Sequence, residues 1–193
     1  MQNTQVITME TIIKISAETF ARKGYRGSNL GDIASKLGVT KPALYYYVKN
    51  KHQILWLIFE KILDIYVNTA KNITDNDLNP REKLRALIES HAMSVLDNQS
   101  FTTVFFREQS ELSEVERGIL KNKMRSYESI FVNIYRDGVK EGIFRSLDPH
   151  PIIMGMFGMV NWLYQWFDEE GAHSKEVITN LYLQFLEEGY LKK

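Results

Sequence analysis

The residues of this chain that could do chemistry are few. Four histidines, His52, His91, His150 and His173, fall in different segments and lack metal-ligand spacing. Cysteine is absent, which excludes a disulfide framework and any thiolate site. There is no glycine-rich phosphate loop and no Gly-x-Ser-x-Gly elbow. No catalytic residue, metal or cofactor is therefore expected, and the chain is read as not an enzyme. What remains is a basic and aromatic run from Lys41 to Lys51, holding Tyr45, Tyr46, Tyr47 and Lys49. It sits in a charged context. Residues 1–55 carry eight Lys or Arg against the three acids Glu10, Glu18 and Asp32, an excess of five, while the whole chain is neutral. A basic head on an acidic body suits a DNA-reading domain joined to a separate sensor. Charge alone is equally met by a solvated basic surface, so the pattern of elements has to decide.

Those elements read as helices. Prolines number four, and no alternating apolar and polar run is long enough for a sheet. A first helix is expected from about Ile7 to Lys23, with Met9, Ile12, Ile13, Ser16, Ala17, Phe20 and Ala21 on one stripe and Gly24 after its end. A second begins at Asn29, which can cap it while Asp32 bonds back. Gly38 breaks that helix and supplies a tight turn. Thr40 caps a third helix, Pro42 is tolerated in its first turn, and the helix is expected to continue through Tyr47. A long fourth helix starts near His52. Further helices are expected over 81–98, 101–109, 114–141, 149–168 and 174–189. A seven-residue helix, a four-residue turn with glycine and a second short helix form the helix-turn-helix spacing. Ala34 allows the two helices to cross closely, and Val39 and Leu44 plug the space against the first helix. Lys41, Pro42, Ala43, Tyr45, Tyr46 and Tyr47 are left to divide between core and groove. Three adjacent tyrosines on a helix point in three directions, so they cannot all be core.

The stretch from Gly24 to Leu55 resembles the N-terminal domain of the TetR family of repressors. The matching residues are Gly24-Tyr25, Asp32-Ile33-Ala34, Gly38-Val39, Leu44-Tyr45 and Val48-Lys49-Asn50-Lys51. The resemblance implies that Thr40 to Tyr47 is a recognition helix. Lys41, Pro42 and Ala43 would meet base edges, and Tyr45, Tyr46 and Tyr47 bases or phosphates. Ser28, Asn29 and Lys51 would meet phosphates. Gly31 departs from the pattern, which often has a basic or polar side chain there. The fold class is all-α: an N-terminal three-helix helix-turn-helix DNA-binding domain, residues 1–51, plus a larger helical ligand-binding and dimerisation domain, residues 52–193.

The body supports that outline. Residues 152–167 are apolar nearly all round, and the last helix carries its own apolar stripe. Together they hold more apolar surface than one protomer is expected to cover, which suggests a four-helix dimer interface. Its expected members are Met156, Val160, Leu163, Phe167, Ile178, Leu181, Tyr182 and Phe185. Aromatic and polar residues in the middle helices, namely His91, Phe105, Arg107, Tyr127, Phe131 and Trp162, are candidates to line a pocket for an amphipathic effector. The alternative for each is an ordinary helical core. The run from Phe105-Phe106-Arg107-Glu108 through Tyr127, Gly138, Gly142, Phe144 and Asp148-Pro149 to Trp162 is similar to acyl-CoA-responsive members that control lipid breakdown. The expected function is a ligand-responsive repressor. It binds a (pseudo)palindromic double-stranded DNA operator as a homodimer and is released by an amphipathic small molecule, with a fatty acyl-CoA favoured. The competing reading is a multidrug-efflux regulator with a promiscuous aromatic pocket. An activator would use the same motif, and an adaptor role would leave the Lys41–Lys51 segment unexplained. No apolar run approaches the roughly 18 residues of a membrane span, and Gln2 to Gln5 show no charged-then-apolar leader pattern. A cytoplasmic location without membrane attachment is expected.

Overall fold

The computed structural model of the chain describes residues 7–191; the Gln2–Gln5 stretch lies outside the described residues. The described chain folds as α1 (Met9–Lys23), α2 (Leu30–Lys36), α3 (Lys41–Leu44), α4 (Lys51–Thr74), α5 (Pro80–Asp97), α6 (Gln99–Arg107), α7 (Glu114–Lys140), α8 (Pro149–Asn161), α9 (Leu163–Trp166) and α10 (Lys175–Tyr190), with a 3₁₀ turn at Gln109–Glu111. No strand forms among the described residues, and the all-α expectation holds. Phe144 and Leu191 make one isolated antiparallel bridge.

Two compact units emerge. One takes the chain as far as Ile62 together with Ser100–Gly118; the other takes Leu63–Gln99 and the chain from Ile119 onward. Compactness thus groups the chain differently from a division at residue 51. The first half of α4 and the Ser100–Gly118 segment share the core of the first unit, where the rings of Phe59 and Phe105 lie 5.4 Å apart.

In the first unit, Ile12, Ala17 and Phe20 of α1 are buried with Ile33 and Ala34 of α2 and with Leu44 and Val48. Local chemistry fixes each end. Thr8 caps α1 by accepting from the Thr11 amide. Gly24 follows α1 with φ 76°, and its amide donates to the Phe20 carbonyl. Asn29 and Asp32 make a reciprocal capping box at α2. Gly38, at φ 69°, opens the turn to α3, and the Val39 amide closes it on the Ala34 carbonyl at 2.9 Å.

In the second unit, α5 packs against α8, α9 and α10. Leu84, Leu87, Ile88, Ala92, Val95 and Leu96 give α5 its buried face. A second cluster stacks Phe144 on Tyr135 at 5.2 Å and edge-on to Tyr190 at 5.1 Å. It requires glycine at 138, because a Cβ there would overlap the Phe144 ring.

Two sequence expectations are corrected. The third helix does not run α-helically through Tyr47. It makes one α-turn to Leu44, after which the amides of Tyr45, Tyr46 and Tyr47 donate to the carbonyls of Pro42, Ala43 and Leu44. These i→i−3 bonds tighten the backbone before Asn50 accepts from the Gln53 amide at 2.8 Å and starts α4. Likewise, one helix was expected over 149–168, but α8 stops at Asn161. A tighter bond from Gln165 to the Trp162 carbonyl then starts α9.

Candidate nucleic-acid interface and effector core

The short α3 and its turns present the expected contact residues outward. Thr40, Lys41 and Pro42 are exposed and Ala43 is partly so. The Thr40 hydroxyl also accepts from the Ala43 amide at 3.3 Å, holding the α3 N-terminus closed. Tyr46 is 91% exposed, and Tyr45 and Tyr47 are exposed beside it. None of the three tyrosines belongs to the core, because Leu44 and Val48 fill the inward positions on either side.

Asn29 is exposed, and its side-chain oxygen accepts from the amides of Gly31 and Asp32. A Cβ at Gly31 would lie 2.8 Å from that oxygen, so glycine there serves the cap. The Lys23 ammonium, 2.7 Å from Asp32, holds the Asp32 carboxyl below its ordinary value.

Two residues expected at phosphates, Ser28 and Lys51, are held from within the head. Ser28 is buried, and its hydroxyl donates to the Tyr25 carbonyl at 2.8 Å. The Lys51 ammonium donates to the carbonyls of Tyr25 (2.7 Å) and Ser28 (2.8 Å) and lies 4.1 Å from the centre of the Tyr25 ring. Sequence reasoning also missed three acids. Glu108 accepts from the Tyr25 amide at 3.0 Å, Glu111 pairs with Arg26 at 2.8 Å, and Glu116 meets His52 at 3.0 Å. They lie 64 to 85 positions away in sequence from their partners, where no local signal reaches.

The candidate effector residues divide. His91, Tyr127 and Phe131 meet in the core of the second unit, joined by Tyr66 and Phe157. The His91 ring lies 4.7 Å from Tyr66 and 4.9 Å from Phe157. Asn161 accepts at 2.8 Å from the Nε2 side of His91, while the Tyr127 hydroxyl is 3.1 Å from Nδ1. Burial pushes the Tyr127 hydroxyl well up, so it keeps its proton and donates to Nδ1. That fixes the tautomer with hydrogen on Nε2, donating to Asn161 Oδ1. Burial pushes His91 down to about 4, a shift the Asn161 bond opposes, and the ring is neutral at pH 7. The residual void among Ile88, His91, Phe131, Ile153, Met156, Phe157 and Val160 is about 10 Å³, room for about one water molecule. Phe105 and Arg107 do not join this cluster. Phe105 is buried in the first unit against Phe59, and Arg107 is exposed on α6. Trp162 follows Asn161, whose side chain turns inward to His91, and is itself 57% exposed.

The expected interface residues divide too. Met156, Val160, Leu163, Phe167 and Ile178 are buried within the protomer. Leu181 (52%) and Phe185 (68%) are exposed, Tyr182 is partly so, and Trp162, Trp166 and Val177 are exposed large apolar residues as well. Grooves of about 520 and 480 Å³ run along α8 and α10, both touching Phe185 and Glu188. No group of three or more His, Asp or Glu that could hold a metal occurs among the described residues. No helix among them is long and apolar enough to cross a membrane.

A helix-turn-helix head with a separate all-helical body defines a class of DNA-binding transcriptional regulator. Residues 12–56 match the family of bacterial regulatory proteins of the tetR type, and residues 77–190 match the tetracyclin repressor-like C-terminal domain. The chain belongs to the TetR family of bacterial regulatory proteins. It is 22% identical over 176 residues to the HTH-type transcriptional repressor KstR2 of Mycolicibacterium smegmatis, covering 90% of this chain and 86% of that one. It is 23% identical over 184 residues to the fatty acid metabolism regulator protein of Bacillus subtilis, covering 94% and 95%. Its fold is similar to that of AibR, solved with isovaleryl coenzyme A and operator DNA, at a TM-score of 0.82 and 24% identity over 92% of this chain and 96% of that chain.

The buried histidine generates a pH prediction. The folded protein keeps His91 neutral down to about pH 4, whereas the unfolded chain takes up a proton near pH 6.5. Stability from this group is full above pH 6.5 and is lost as pH falls from 6.5 to about 4, by roughly 3 kcal/mol in all. Urea midpoints measured across that window should fall less steeply for His91→Gln than for the wild type; parallel curves would refute the assignment.

Proposed function

We propose that this chain is an acyl-CoA-responsive repressor that binds a (pseudo)palindromic operator as a homodimer. The observation that carries the reading is the core around His91: rings and aliphatic chains lined by no carboxylate, with one neutral His–Tyr–Asn trio as its polar feature. Such a core suits an acyl chain bearing a carbonyl and does not suit a cationic drug. The kinship with a fatty acid metabolism regulator and the likeness in fold to AibR support the same direction. An efflux regulator with a promiscuous aromatic pocket is the second reading, favoured only by the ring cluster.

In this reading Lys41, Pro42, Ala43, Tyr45, Tyr46 and Tyr47 meet the DNA, with Thr40 and Asn29 at the flanking helix starts. In a dimer, two such segments enter successive major grooves when about 34 Å apart. Exposed Leu181, Phe185, Trp162 and Trp166 supply the apolar face for a second copy. Effector in the body displaces α4, an unbroken helix from Lys51 to Thr74, and changes that spacing. It needs to prefer the released dimer by only a few kcal/mol. The protein works in the cytoplasm.

Three outcomes are expected. Tyr46→Ala weakens DNA binding by roughly tenfold while leaving the melting temperature unchanged, because the exposed ring touches no core; unchanged affinity in an anisotropy titration would remove Tyr46 from the contact set. Phe185→Glu gives a monomer by sedimentation with wild-type circular dichroism; a surviving dimer would place the interface elsewhere. In a thermal-shift screen, acyl-CoAs of graded length raise the melting temperature progressively and a panel of cationic dyes does not. A response to dyes alone would replace the acyl-CoA reading with the efflux one.

A further inference from the structure

Lys51 lies in the basic head, where a phosphate contact is the obvious role, yet its ammonium is already engaged. Two of its three N–H groups reach the carbonyls of Tyr25 and Ser28, at 2.7 and 2.8 Å, and the Tyr25 ring lies against it at 4.1 Å. The other end of the same residue is held by an acid: the Tyr25 amide donates to Glu108 Oε1 at 3.0 Å. Glu108 also approaches Gly24, where an added Cβ would lie 3.8 Å from that oxygen. Tyr25 is therefore gripped at its amide, its carbonyl and its ring, and the ring is further packed edge-on to Phe20 at 5.3 Å. The residue after Ser28 is Asn29, the cap of α2. Whatever fixes the carbonyls of Tyr25 and Ser28 fixes where α2 starts, and α2 with its four-residue turn carries α3.

We infer that Lys51 and Glu108 are a pair of positioning residues for DNA binding, which clamp the α1–α2 loop from opposite sides and so set the helix-turn-helix for the groove. The inference rests on the DNA-binding reading and goes beyond it by giving Lys51 a role without a phosphate and giving an acid a favourable role in binding DNA. The second half runs against simple electrostatics. An acid near a basic head repels the duplex, so its removal should tighten binding unless it holds something in place.

The full-length protein first selects duplexes from a randomised pool. Those duplexes are then titrated by anisotropy at graded potassium chloride with the wild type, Lys51→Met, Glu108→Ala and Glu108→Gln. Losing a phosphate contact lowers the slope of log affinity against log salt by about one. Losing a positioning residue lowers affinity and leaves that slope unchanged. The expected result is a roughly tenfold loss for Lys51→Met and for Glu108→Ala at wild-type slope. Glu108→Gln, which keeps an oxygen for the Tyr25 amide, should stay near wild type. A slope reduced by about one in Lys51→Met, or tighter binding by Glu108→Ala, would overturn the assignment. Circular dichroism and melting curves accompany each variant; should Lys51→Met unfold, the Glu108 pair decides alone. A pool from which the wild type enriches no duplex would overturn the DNA-binding reading itself, a result separate from any difference between variants.

Discussion

The loop from Gly24 to Ser28 poses the constraint on which the DNA-reading head depends. Its backbone polar groups lie between two helices, and part of the loop is buried, so each group left without a partner would cost roughly 1–3 kcal/mol. The fold satisfies them from four directions. The Gly24 amide closes α1, the Tyr25 amide finds Glu108, and the Tyr25 carbonyl takes the Ser28 hydroxyl and the Lys51 ammonium. The Ser28 carbonyl takes Lys51 as well. Two of these donors and acceptors arrive from α4 and from the stretch just after α6. The three-helix head is therefore not closed by its own residues. That explains why the compact unit extends to Ile62 and takes in Ser100–Gly118.

What the sequence discloses and what it hides follows from distance along the chain. Caps are legible because donor and acceptor lie three positions apart. Asn29 and Asp32, Thr40 before Pro42, and Gly38 in its turn all fall where local rules place them. The boundary after Leu44 is less legible, since Tyr45 to Tyr47 carry no breaker yet their amides bond three residues back. Lys51 illustrates a different failure. A lysine's type announces its charge and says nothing about which oxygens it meets, and its partners lie 23 and 26 positions back. Glu108, 83 positions from Tyr25, offers no local signal at all.

The body shows the same limit in apolar form. An α8 that is apolar nearly all round reveals that both sides need cover, but not which side the protomer covers itself. Met156 and Val160 turn out to face inward, whereas Leu181 and Phe185 of α10 are the residues left outside. Among the effector candidates, residue type alone singled out His91, Tyr127 and Phe131, and the fold brings these three rings together. Phe105 and Arg107, which the Phe105-Phe106-Arg107-Glu108 resemblance also carries, belong to the other compact unit.

On the acyl-CoA reading, the core sets a quantitative condition on how an effector could act. Swinging a two-state equilibrium from 1:99 to 99:1 takes about 5.5 kcal/mol of differential binding. At about 0.8 kcal/mol per buried methylene, roughly seven methylenes would have to be buried in one state and not in the other. The void beside His91 has room for about one water molecule, so a chain of that length enters only by displacing Phe131, Phe157 or their neighbours. Displaced rings cost packing, which raises the number of methylenes needed above the simple quotient. The neutral His–Tyr–Asn trio changes the balance for the head of the ligand. Its Nε2–H and the Tyr127 hydroxyl are already satisfied internally, so a carbonyl that replaces one of those acceptors gains little net energy. Discrimination must then come from chain length more than from the head group, and short acyl-CoAs would bind without switching the protein.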